Sequence, residues 1–314
     1  MEILFIILAV LALLATAVLI TSYVSFRMAF YVKSEDKVSY DKLDVPMGKI
    51  YEPYMEQMFK WQKQINEMPH EKVSIRSFDG LKLCERYYEL KKGAPIELMM
   101  HGYRGNSQRD LAGGVNRAFS LEHNVLLVDH RGSALSEGNI ISFGVNESKD
   151  AMLWAKWLEE RFGSDIKIIL TGVSMGAATA MMCIERGLPP TVKGILADCG
   201  YSSQKEIIKI VMKKMELPVG LLYPFVKLGA KLFGKFDLEE ITPLEAVKKS
   251  TVPILFAHGD DDRFVPYEMS VECFNACQAK KKLVTIKGAG HGLCYLAAPD
   301  EYVKQLSEFF SYLK

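Results

Sequence analysis

Three residues of this chain have the types and the order needed for acyl transfer. Ser174 stands in Gly172-Val173-Ser174-Met175-Gly176, a G-x-S-x-G pattern. Asp262 stands 88 residues on, in His258-Gly259-Asp260-Asp261-Asp262-Arg263-Phe264-Val265-Pro266, and His291 another 29 on, in Gly288-Ala289-Gly290-His291-Gly292. A serine hydroxyl is a poor nucleophile until a base takes its proton. An imidazole base in turn needs an acid that fixes its tautomer and supports its cation. Each of the three follows a short apolar run, and the order Ser, Asp, His suits a serine exposed on a strand-to-helix turn. The two glycines have a steric job, since a side chain there would collide with the packed turn. The Met175 amide opens the following helix and can donate to an oxyanion. A second donor should come from the loop after an earlier strand, and the Tyr103 amide in His101-Gly102-Tyr103-Arg104-Gly105 is the candidate.

The elements that must hold these residues are legible as alternating patterns. Residues 166–170 form an apolar, β-branched run of strand length, and an Ala- and Met-rich helical stretch starts at Ala177. Further strands are expected at 96–100, 125–129, 192–197, 253–257 and 283–286, with helices near 108–121, 146–162, 267–279 and 298–313. Strands alternating with helices imply a mostly parallel sheet with helices on both faces, and ligands bind at the carboxyl ends of such strands. Ahead of this lie a helix over 46–68, stopped by Pro69, and a β-hairpin, 71–78 and 81–90, around Asp79-Gly80. Residues 201–250 interrupt the alternation with helical pattern, which Pro218 and Pro224 are expected to break.

The 314 residues fit one large α/β domain, and 49% apolar with 25% charged residues permits a packed core. A formal net charge of +1 argues against nucleic acid as the main partner. The six cysteines form no C-x-x-C pair and no metal-ligand spacing, and their scattered apolar contexts suit a reducing compartment. No cofactor and no metal is expected.

Residues 3–20 are apolar except for Thr16, and at helical rise they reach about 27 Å, nearly the thickness of a bilayer core. No basic residue precedes them, so an uncleaved anchor is favoured over a signal peptide. Arg27, Lys33, Lys37 and Lys42 follow the span, and the positive-inside rule puts the larger domain on the cytoplasmic side of the cell membrane. The expected organisation is an anchor over 1–26, a linker and leading helix over 27–70, and a catalytic domain over 71–314.

From about Glu71 onward the chain resembles the α/β-hydrolase superfamily, in its serine aminopeptidase/lysophospholipase-like branch of membrane-anchored bacterial type. The motifs that carry the resemblance are His101-Gly102-Tyr103, Asp129-His130-Arg131-Gly132 with Ser136-Glu137-Gly138, Gly172 to Gly176, His258 to Pro266, and Gly290-His291-Gly292. The resemblance implies an α/β-hydrolase fold with a small helical cap at about 201–250. It selects Asp262 as the acid over Asp261 and over Asp260, the alternative. His101, His130, His258, Asp129, Arg131 and Asp198 read as scaffold.

The cap region between Gln204 and Phe236 carries seven lysines and two glutamates among apolar residues. That mixture, with the anchor, suggests a cap resting on an anionic leaflet. The expected function is a serine hydrolase cleaving a carboxylic ester, a small molecule or a lipid such as a lysophospholipid. The alternatives are a serine aminopeptidase-type peptidase, which needs an acid in the cap (Glu206 or Glu216) for the substrate amine, and a non-catalytic membrane-tethered binding protein.

Overall fold

The computed structural model describes residues 1–37, 40, 42–46 and 48–313. Val38, Ser39 and Asp41 of the expected linker, Met47 of the expected leading helix, and Lys314 lie outside the described residues.

The chain opens with helix α1 (Glu2–Ala29), then α2 (Met55–Glu67) and a hairpin of β1 (Glu71–Arg76) and β2 (Lys82–Tyr88). The alternating body follows as β3 (Ile96–Met100), α3 (Ser107–Ser120), β4 (Asn124–Val128), α4 (Val145–Phe162), β5 (Ile168–Val173), α5 (Met175–Met182) and β6 (Val192–Asp198). Helices α6 (Gln204–Lys214), α7 (Val219–Leu232) and α8 (Pro243–Lys248) come next. The body closes with β7 (Ile254–Gly259), α9 (Tyr267–Ala276), β8 (Lys281–Ile286), α10 (Cys294–Ala297) and α11 (Pro299–Phe309).

The strands form one eight-stranded sheet in the order β1-β2-β4-β3-β5-β6-β7-β8. From β4 to β8 the neighbours are parallel, while β1 and β2 run antiparallel at one edge. Every residue of β3, β4 and β7 is buried, which is why these runs read as continuously apolar: helices cover both faces. On one face Trp154 and Leu158 of α4 and Ala177 and Met181 of α5 pack on Leu98, Leu126 and Leu170. On the other, Leu111 and Val115 of α3 and Ile65 of α2 cover Met99 and Leu127, while Tyr302 and Leu306 of α11 cover Ile169 and Leu255.

Three boundaries differ from expectation for physical reasons. β5 runs to Val173, so Ser174 follows the strand directly. The leading helix starts at Met55, because Pro53 holds residues 52–54 in a tighter turn. Pro224 lies inside α7 rather than breaking it. Its ring faces the carbonyl of Gly220, an exposed residue with open space where a side chain would stand, so that carbonyl can turn to solvent.

Helix α1 does not end where the apolar run ends. Its first nineteen or so residues are exposed, and it is the one helix among the described residues long and apolar enough to cross a membrane. Beyond Ser22 it turns into a packed helix. Phe26 and the following Phe30 are buried in a cluster with Met212 of α6 and Val226 and Ala230 of α7. Past the helix, the Val32 amide donates to the Asn139 carbonyl at 2.8 Å and the Ile141 amide to the Phe30 carbonyl at 2.8 Å. The residues just after 26 are therefore pinned to the body.

Candidate active site

The turn after β5 imposes a conformation that an L-residue rarely adopts: Ser174 has φ 57° and ψ −116°. Such strain costs of order 1–3 kcal/mol and persists only where packing over-determines it. The glycines supply that packing. A Cβ on Gly172 would lie 2.1 Å from the Gly176 carbonyl group, and one on Gly176 would lie 2.0 Å from the Met100 carbonyl oxygen. The Ser174 amide donates to the Asp198 carbonyl at 2.8 Å, which ties the turn to the end of β6.

Loops after β7 and β8 bring the other two residues to this turn. His291 Nε2 lies 3.0 Å from Ser174 Oγ, and His291 Nδ1 lies 2.7 Å from Asp262 Oδ2. With Nδ1–H donating to the carboxylate, Nε2 carries the lone pair that accepts the serine proton. The Asp262 side chain is fully buried and His291 is 13% exposed. The other carboxylate oxygen of Asp262 accepts from the Phe264 amide at 2.8 Å and the Val265 amide at 2.9 Å. Burial alone would raise the Asp262 carboxyl, but hydrogen bonds from His258 and His291 overcome it and hold the group well below the usual carboxylate range. The neighbouring acids shape the loop: Asp260 accepts from the Gly288 amide and Asp261 from Arg263.

His258 is a strand-end histidine, and its partner is the acid itself. Its Nε2–H donates to Asp262 Oδ2 and to the Val265 carbonyl, both at 3.1 Å, leaving Nδ1 to accept from the Ser270 hydroxyl at 2.7 Å. Asp262 Oδ2 thus accepts from two imidazoles.

The loop after β3 crosses over Ser174. A Cβ on Gly102 would lie 3.6 Å from the Ser174 Cβ, and the Gly102 amide is held by Asp110 at 3.0 Å. This places the Tyr103 backbone beside the serine. The Met175 amide opens α5, where no carbonyl of the preceding helical turn is available to it. Beneath the loop, His101 Nδ1–H donates to the Gly102 carbonyl at 2.7 Å and its Nε2 accepts from the His130 amide at 3.1 Å. Burial pushes both imidazoles down, His130 to about 4, so they are neutral scaffold. Arg131 ties Asp150 to Asp79, and Asp198 accepts from the Tyr302 hydroxyl at 2.6 Å.

One neighbour had no signal in the spacing. The Cys199 sulfur and the donor atoms of Asp262 and His291 all lie within 4.8 Å of one another, although they come from three different strand ends. Burial pushes the Cys199 thiol far up, so it stays protonated.

A cavity of about 390 Å³ opens at Ser174 and Met175, within the range of small-molecule sites. Its walls come from the β3 loop, from α6 and α7, and from α1, and no charged side chain lines it among the described residues. Glu206 pairs with Lys209 instead, and Lys205 and Lys227 pair with Glu239 just past the basic stretch.

Comparison with known proteins fits this arrangement. Residues 122–314 match the prolyl oligopeptidase family. The protein YqkD of Bacillus subtilis is 27% identical over 187 residues, which cover 59% of this chain and 61% of YqkD. The lysophosphatidylserine lipase ABHD12 of Danio rerio is 24% identical over 201 residues, 60% of this chain and 49% of that protein. The chain thus spans about half to three-fifths of the length of these two relatives. The esterase Pf2001 of Pyrococcus furiosus shares the fold, with a TM-score of 0.64 at 20% identity, over 86% of this chain and 98% of that one. With a family match over more than half its length and this sheet beneath it, the chain is an α/β hydrolase and belongs to the prolyl oligopeptidase family.

Proposed function

We propose that the protein is a membrane-anchored serine hydrolase that cleaves a carboxylic ester, of a lipid or lipid-like molecule, through an acyl-enzyme. The observation that carries this is the unbroken chain from Ser174 Oγ through His291 to the buried Asp262 carboxylate, opening into an uncharged apolar cavity. Ser174 Oγ attacks the ester carbonyl carbon while its proton passes to His291 Nε2. Asp262 supports the imidazolium, and the Tyr103 and Met175 amides receive the oxyanion. Collapse breaks the ester C–O bond, and His291 returns the proton to the departing alcohol. Water, deprotonated by His291, then attacks the acyl-serine and frees the carboxylic acid.

The cavity speaks for an ester rather than a peptide amine. A substrate ammonium would need an acid in the pocket, and neither Glu206 nor Glu216 lines it. The family's name keeps the peptidase reading as the second choice. The positive residues after α1 favour anchoring with the catalytic domain on the cytoplasmic side.

The test is labelling with a fluorophosphonate, in which Ser174 Oγ displaces fluoride from phosphorus. Wild type should label, and Ser174→Ala and His291→Ala should not. A folded wild type that fails to label would favour the binding-protein alternative. Hydrolysis of aminoacyl amides above p-nitrophenyl esters would favour the peptidase.

A further inference from the structure

Helix α1 contributes more than a tether. Six of its residues line the cavity that opens at Ser174: Ile20, Thr21, Val24, Ser25, Met28 and Ala29. Their spacing repeats every four residues, so they form one stripe along the helix, about 13 Å long at helical rise. Ile20, Val24 and Met28 are still 59%, 49% and 54% exposed. The trough is therefore open along this stripe, facing Val211 of α6 and Leu222 of α7 across it.

The stripe is held rigidly against the catalytic loop. A Cβ on Gly229 of α7 would lie 2.4 Å from the Ser22 carbonyl oxygen, so the two helices touch backbone to backbone. The last carbonyls of α1 are taken up by the loop after β3: the Tyr103 hydroxyl donates to Ala29 at 2.8 Å and Arg104 donates to Met28 at 3.0 Å. The wholly exposed run of α1 ends at Ile20 and Ser22 is its first buried residue, so the helix passes from lipid-facing to packed near Thr21. The cavity stripe begins at that level. One apolar surface thus runs without a break from the lipid-facing part of α1 to the nucleophile.

We propose that the cytoplasmic end of α1 is a wall of the substrate pocket, along which one long acyl chain of a bilayer lipid ester passes from the membrane to Ser174. This rests on the ester-hydrolase reading above and names its substrate class. The occupant is an acyl chain because the trough is apolar along its length, carries no charge and is continuous with a surface that itself faces lipid.

The experiment uses the full-length protein in detergent or lipid nanodiscs. Val24→Trp fills the trough, while Leu13→Trp, 70% exposed on the lipid-facing part, does not. The ratio of kcat/KM for p-nitrophenyl palmitate to that for p-nitrophenyl butyrate should fall about tenfold or more in Val24→Trp. It should keep its wild-type value in Leu13→Trp. An unchanged ratio in Val24→Trp overturns the proposal. A second measurement needs no variant. A long-chain alkyl fluorophosphonate with a photoreactive diazirine near the chain end is attached to Ser174 of the wild type and irradiated. Cross-links to residues 20–29 support the wall. Ser174 labelled but cross-links confined to other elements overturns the wall and leaves the hydrolase reading intact. No labelling of Ser174 at all overturns both.

Discussion

His258 Nε2 lies 3.1 Å from Asp262 Oδ2, the same oxygen that accepts from His291. The acid is thereby clamped from behind, with both side chains fully buried. His258 bonds Asp262, Val265 and Ser270 and does not line the cavity at Ser174, so it acts by positioning. A hydrogen bond to a charged group is worth about 1.5–3 kcal/mol, which translates to roughly tenfold to 150-fold. His258→Phe should lower kcat by that range with KM little changed, and it should move the pH profile of kcat. A structural role alone would lower the amount of folded enzyme and leave the profile where it was.

The strained turn predicts a trade between activity and stability. On the proposed mechanism, Ser174→Gly and Ser174→Ala should both lower turnover by about 10⁶-fold. Only the glycine is at ease at φ 57°, so it alone should relieve the strain. Part of the gain is cancelled by the greater freedom of the unfolded chain, leaving about 1 kcal/mol and a rise of a few degrees in Tm. Thermal unfolding of the two variants side by side checks this, and equal Tm values would refute it.

Two buried acids should give stability opposite pH slopes. Burial pushes the Asp129 carboxyl up to about 8, while a hydrogen bond from the Ser107 amide holds it back. A folded value above the unfolded one, about 3.9, means stability falls as pH rises between about 4 and 8. Asp129→Asn should flatten that limb in urea midpoints measured from pH 5 to 8. Burial would also raise Glu97, but the Arg117 charge and hydrogen bonds from His123 and Arg117 overcome it and hold Glu97 at about 2. Its contribution is complete above about pH 4.3 and is lost as pH falls toward 2. Glu97→Gln leaves the buried Arg117 unpaired and should cost about 3–5 kcal/mol at neutral pH.

The C-terminal end of α1 should matter to the domain as a core helix does. Phe30 is fully buried and meets Phe143 and Phe236 edge-on at 5.7 and 5.3 Å. Phe30→Ala should destabilise by about 3–5 kcal/mol. Phe5→Ala, at a residue 74% exposed, should leave the domain's unfolding midpoint in detergent unchanged. Equal midpoints for both variants would show the docking to be unimportant.

Much of this was legible because the chemistry sits at strand ends. Ser174, Asp262 and His291 each follow an apolar run, and a parallel sheet brings such positions to one edge, so their meeting could be read from order alone. The partners that come from elsewhere could not. His258 reads as a scaffold residue, but only the turn over 259–262 shows that it holds Asp262. Cys199 approaches the acid and the base from another strand end and leaves no pattern. The docking of α1 is hidden for a different reason. A helix apolar on every side has no polar face to tell lipid-facing from protein-facing residues, so nothing in the run marked Ser22 and Phe26 as packed. Pro224 reads as a breaker in the sequence because the open space at Gly220 is a property of three dimensions.

The docking of α1 also sets an order of events in biosynthesis. The helix is made before the segments that hold it: Tyr103 stands 74 residues after the Ala29 carbonyl, and Asn139 stands 107 after Val32. His291 follows Ser174 by a further 117. If α1 spans a bilayer, as proposed above, a nascent chain would be seated there long before residues 174, 262 and 291 emerge from the ribosome. On the function proposed above, an enzyme able to attack membrane lipid would be born inert, with its site completed only once the membrane-seated helix has met its later partners.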